Sequence, residues 1–160
     1  MPIKIILTVV VLICLGYGAV YMYQSAKIRS NPNQKLFIGG RIPTPALDGF
    51  YRGSAFNFDG DWQGKRFEAS NLVGINVFKE TDSRIAERHR FKTYVSRGLQ
   101  DPIETFKLDY RVPGNIWWIK FFIDEVIEIS PGEYLGKIYL RPFGLIAIPT
   151  GYFKLSQEQK

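Results

Sequence analysis

The chain of 160 residues has one cysteine and one histidine, and these scarcities exclude much familiar chemistry. Cys14 alone can form neither an intrachain disulfide nor a cysteine zinc site. His89 sits in the basic run RHRFK, with no serine or cysteine pattern to serve. G-x-S-x-G, H-E-x-x-H, the P-loop and the dinucleotide fingerprint are all missing. The sequence therefore predicts no enzyme, no catalytic residue and no cofactor. No metal is expected either. Asn57, Asp59, Asp61 and Glu68 are spaced like part of a calcium loop, but Trp62 stands where that loop requires glycine. The net charge of +6 is spread among interspersed acids and bases. The aromatics fall into strand patterns instead of interleaving with a basic groove, so nucleic acid is not an expected partner.

Charge is also missing from residues 5–26, IILTVVVLICLGYGAVYMYQSA. About 20 apolar residues cross a bilayer core, and Tyr17, Tyr21 and Tyr23 gather at the far end as an interfacial belt would. A cleaved signal peptide needs a shorter apolar core and a small-x-small exit. Gly16-Tyr17-Gly18 offers such an exit, but the apolar run continues past it. Residues 1–26 read as an uncleaved transmembrane anchor. Lys4 flanks one end and Lys27, Arg29, Lys35 and Arg41 the other, which leans towards a cytoplasmic domain. A short lysine-bearing tail also begins signal anchors that export their domain.

Residues 27–46 include RSNPNQKLFIGGRIPTPA, rich in proline and glycine with little periodicity, and read as a linker. From residue 47 short runs of aromatic and β-branched residues alternate with turn signals. FYRGSAFNF ends at Asp59-Gly60, a pair favoured in tight hairpins. In ETFKLDYR, Phe106, Leu108 and Tyr110 share one face and Thr105, Lys107, Asp109 and Arg111 the other. IWWIKFFIDEVIEIS puts Ile119, Phe121, Ile123, Ile127 and Ile129 on one strand face, with Glu125 as the exception. Its first half also suits a short helix. SRIAERHR, residues 83–90, reads as a helical turn or hairpin loop. The fold class is mainly β: about eight antiparallel strands over residues 47–156, closed into a barrel that leaves no edges, after a single transmembrane helix. Residues 157–160 form a tail.

Gly60-Asp61-Trp62 resembles the G-x-W signature of lipocalin and calycin barrels, and GDWQG fits the G-x-W-x-G of small bacterial lipocalin-like domains. The runs LDGFYRG, FKTYVSRGLQDP, FKLDYRVPGN, DEVIEISPGEYLGKIYLR and GYFKL resemble, in order, a family of uncharacterised bacterial lipocalin-like proteins over most of residues 46–156. The resemblance implies a barrel without an established activity; the anchor lies outside the resemblance, and the apolar run of residues 5–26 is what would hold that barrel at the bacterial inner membrane. It also implies that Gly60 and Trp62 close one barrel end under a late-strand cation. Arg141 is the first choice for that cation, ahead of Lys137 and Lys154.

Arg52, Tyr94, Glu125 and Tyr134 are candidate ligand contacts. Glu125 interrupts an apolar face, and an inward carboxylate must be hydrogen-bonded, ion-paired or neutralised. Asp124 cannot share a substrate with it, since neighbours on a strand point to opposite faces. Arg84, Arg88, Arg90 and Lys92 form the densest basic patch, suited to anionic lipid headgroups if it is more than a solvated loop. Two functions follow. The barrel binds or shields a hydrophobic small molecule or lipid beside the membrane, or it is a filled, rigid accessory subunit of a larger membrane complex. An open or a packed interior distinguishes them.

Overall fold

A computed structural model describes residues 3–55, 60–81 and 84–157. The long apolar run is one helix, α1 (Ile3–Arg29), followed by a short α2 (Pro32–Gly39). The strands are β1 (Gly49–Ala55), β2 (Trp62–Glu68), β3 (Val73–Thr81), β4 (Arg84–Arg97), β5 (Glu104–Asp109), β6 (Phe122–Ser130), β7 (Glu133–Leu140) and β8 (Ile148–Gln157). Among the described residues these eight pair antiparallel in sequence order, and β8 returns to β1 to close the barrel. Among the described residues no sheet edge is left open. Asp59 and Ser83 lie outside the described residues, so the tip of the Asp59-Gly60 hairpin does too.

Strand alternation fills the interior. Phe106 and Leu108 of β5 point inward, with Tyr110 just past its end. They meet Tyr51, Phe67, Phe91, Val126, Tyr134, Phe153 and Leu155 in one buried cluster. Rings from one strand lie over glycines of its neighbour. A Cβ on Gly74 would stand 2.4 Å from the Phe91 ring, and one on Gly136 2.0 Å from the Phe153 ring. Cross-strand glycine–aromatic pairs of this kind fix register.

Three expectations need correction. Residues 32–39 of the expected linker are helical. The Asn31 side chain accepts from the Asn33 N–H at 2.9 Å and Pro32 occupies the first turn, so SNPN is a helix start. Residues 84–90 are strand, the first half of β4, which bulges at His89 (φ +62). Ile119 and Phe121 belong to a 3-10 turn, which corrects the strand reading and agrees with the short-helix alternative for this half, and β6 begins only at Phe122.

β6 is buried on both faces, which explains the ambiguous period of its sequence. Its Asp124 face looks into the barrel. Ile123, Glu125 and Ile127 face the outside, beneath α1, α2 and the 98–103 segment. α2 is clamped to this outer wall by charge. Lys137 Nζ donates to Gln34 Oε1 at 2.9 Å and to Asp101 Oδ2 at 2.8 Å. Tyr152 donates to Gln34 Oε1 at 2.5 Å, and Phe37 is buried alongside.

Candidate binding cavity

The β2 entry sets one end of the barrel. Pairing skips from Trp62↔Phe78 to Gly64↔Val77, so Gln63 is bulged out of register. Gly64 accepts this with φ +139, where a Cβ would stand 2.0 Å from the Tyr51 carbonyl. Strict alternation would put Trp62 and Lys65 on opposite faces; the bulge puts both inside. The Trp62 ring lies over Gly53, meets Phe153 edge-on at 5.7 Å, and donates from Nε1 to Asn76 Oδ1 at 3.1 Å.

Lys65 is the centre of the site. It is fully buried, and its ammonium donates to Asn76 Oδ1 (2.8 Å), the Tyr110 hydroxyl (2.5 Å) and Asp124 Oδ2 (3.2 Å). That uses all three of its donors. Tyr110 donates in turn to Asp124 Oδ2 at 3.0 Å. The rings of Trp62, Phe91, Tyr110 and Phe153 surround the ammonium at 5.4, 5.3, 5.3 and 4.9 Å, an aromatic cage. Burial lowers the Lys65 pKa against the pull of Asp124, and raises that of Asp124 against the pull of Lys65. Burial also raises the Tyr110 hydroxyl well above its usual value, so it serves as a hydrogen-bond donor.

Above this cluster a cavity of about 400 Å3 opens at the end of the barrel. Trp62, Phe78, Trp118, Phe122, Ile138 and Phe153 give it apolar walls, and Gly151 leaves one side empty. His89 reaches it through the β4 bulge, edge-on to Phe78 at 5.8 Å. Burial, then the charges of Arg88 and Lys65, lower its pKa and favour the neutral ring.

The cation over Trp62 is thus Lys65, three residues along the same strand, in place of Arg141. Arg141 follows β7. Its backbone N–H donates to Phe121 O at 2.7 Å, and its Nε is buried without a hydrogen-bond partner among the described residues. Gly60 lies in the bend before β2 and is exposed. None of Arg52, Tyr94, Glu125 and Tyr134 lines the cavity. Arg52 is exposed on the outer face of β1, and the Tyr94 hydroxyl donates outside the barrel to Asp109 Oδ2 at 3.4 Å. Glu125 is not inward. It accepts from the Leu99 N–H at 2.6 Å and from Lys107 on the outer wall. Burial lowers the pKa of Lys107 despite that partner. Tyr134 points inward but belongs to the core, edge-on to Tyr51 at 5.4 Å, and burial pushes its hydroxyl up to about 12. Of the basic patch, Arg84 and Arg88 bond Glu80 at 2.9 and 2.7 Å, and Lys92 lies 3.8 Å from Asp109.

Lys65, Asn76, Tyr110 and Asp124 escaped sequence reading as a set. One signal pointed to Asp124, a charge inside the otherwise apolar strand run FFIDEVI; Lys65 has no such mark, since WQGKRFE also carries Gln63, Arg66 and Glu68. The bulge that turns Lys65 inward has no mark beyond Gly64.

Comparison with protein-family models gave no match, and comparison with curated proteins gave none. A solved structure, described as a crystal structure of a protein from Thermomonospora curvata, is similar with a TM-score of 0.57 at 14% identity. The likeness covers 88% of this chain and 99% of that one. It supports the fold alone.

Proposed function

We propose that this chain is a membrane-anchored, lipocalin-like barrel that binds or shields a hydrophobic small molecule or the apolar part of a lipid. The open cavity carries this reading, since a rigid accessory subunit would gain stability from filling it. About 400 Å3 suits a drug-sized ligand. The ammonium at its floor has every donor satisfied, so the site asks no charge of its occupant. The walls are mostly aromatic and aliphatic, and each 100 Å2 of apolar ligand surface removed from water contributes about 2.5 kcal/mol.

The single histidine gives a one-signal probe. Titrating the detergent-solubilised chain with a medium-chain fatty alcohol should shift the His89 imidazole resonance saturably. Gly151→Phe, which places a ring in the empty side of the cavity, should abolish the shift. A His89 signal that ignores the alcohol in the native chain contradicts the reading.

A further inference from the structure

Two loops at the cavity mouth expose large apolar side chains. Between β5 and β6, Ile116, Trp117 and Trp118 are 50%, 70% and 45% exposed; between β7 and β8, Phe143, Leu145 and Ile146 are 83%, 53% and 64% exposed. Phe121 joins the loops, with ring centroids 5.6 Å from Trp117 and 5.0 Å from Phe143. Single exposed apolar residues are ordinary, but six on two touching loops make a patch.

α1 runs beside this patch. Ile28 is buried in the cluster of Phe37, Leu135 and Tyr152 on the barrel wall. Nearer the mouth, Gln100 Nε2 donates both to Ser25 Oγ and to the Ala147 carbonyl, at 3.2 and 3.3 Å. Nearer still, the Tyr17 hydroxyl donates to the Ile146 carbonyl at 2.5 Å. Followed towards its amino end, the helix therefore climbs the wall, reaches the mouth loops at Tyr17, and continues past them. At 1.5 Å per residue, residues 3–16 extend roughly 21 Å beyond the rim. A bilayer core is about 30 Å thick. The free stretch falls short by roughly 9 Å. Lowering the mouth loops into the bilayer closes that gap and buries their apolar side chains.

We propose that the mouth of the barrel is a bilayer-contacting surface: the 116–118 and 143–146 loops insert beside α1, and the cavity opens directly into one leaflet. A hydrophobic occupant then enters from the lipid without crossing water. The proposal rests on the anchor reading of α1 and on the cavity.

The test uses the full chain reconstituted in phosphatidylcholine vesicles, with Cys14→Ser as background and a nitroxide on Phe143→Cys or, at the opposite barrel end, Glu133→Cys. Flotation tests the anchor by itself. In floated protein, the Phe143 label should be relaxed by oxygen and shielded from a water-soluble nickel complex, with the Glu133 label showing the reverse. The unlabelled chain gives an independent readout. Brominated acyl chains should quench its tryptophan fluorescence, and Trp117→Phe should remove much of that quenching. A floating protein whose Phe143 label is as nickel-accessible as the Glu133 label overturns the proposal while leaving the anchor intact. A chain that does not float removes the anchor and the proposal together.

Discussion

Trp62 and Lys65 show how one irregular residue decides a site. The Gln63 bulge brings an indole and an ammonium to the same interior, where the cation satisfies its donors and the rings cover it. Trp62→Ala should destabilise the detergent-solubilised chain by about 3 kcal/mol, at the low end for a tryptophan because part of the ring faces the cavity. In urea double-mutant cycles it should couple to Lys65→Met by about 0.5–1 kcal/mol or more, and be additive with Arg141→Met. Coupling to Arg141 instead would restore the late-strand cap. Lys65→Met alone strands a buried carboxylate and should cost about 3–5 kcal/mol; Lys65→Met with Asp124→Leu should cost less.

His89 gives a pH dependence whose sign is fixed by its lowered pKa. As pH falls through its ordinary value of 6.5, the unfolded chain takes up a proton that the folded ring refuses. The unfolded state then binds more protons, so His89 lowers stability progressively below that pH, down to the depressed folded pKa. His89→Asn keeps a residue tolerant of φ +62 and removes the titration. Urea midpoints between pH 5 and 7 should fall less steeply in this variant than in the native chain. Parallel slopes would exclude the histidine as the cause.

At the scale of elements, the close fit of Gly136 under Phe153 sets the β7–β8 pairing. A methyl there has no room without moving the ring. Gly136→Ala should therefore lower stability by about 1–3 kcal/mol, measured by urea denaturation, despite the better strand propensity of alanine. An unchanged midpoint would mean that Phe153 has a second place to go. The strands were legible in sequence because turns and period-two runs are local, and β5 shows this best. The faces of β6 were not, because helices cover the barrel wall outside it and both of its sides are buried. An apolar run beside Glu125 then looks like an interior, while Asp124 on the other side holds the real site. α2 was signalled by Asn31-Pro32, but the helix is too short for its period to stand out, and what holds it is Lys137 and Asp101 from distant parts of the chain. The basic run of 84–92 likewise gave its charge away but not its pairing, since Glu80 lies across a hairpin.

For the whole molecule, the barrel, the buried cation and the long apolar helix form one arrangement: a closed sheet with an open end, and a helix leaving past that end. Cavities of this kind stay open when something else occupies them or when the rim is rigid enough to hold them. The central claim is that a hydrophobic molecule fills this one. Native mass spectrometry of the full chain, extracted gently in detergent, tests it most directly. The account predicts a retained mass of one hydrophobic small molecule or lipid on the native protein, absent from a folded Gly151→Phe variant. A native chain that flies bare, or a Gly151→Phe chain that keeps the same adduct, would contradict it.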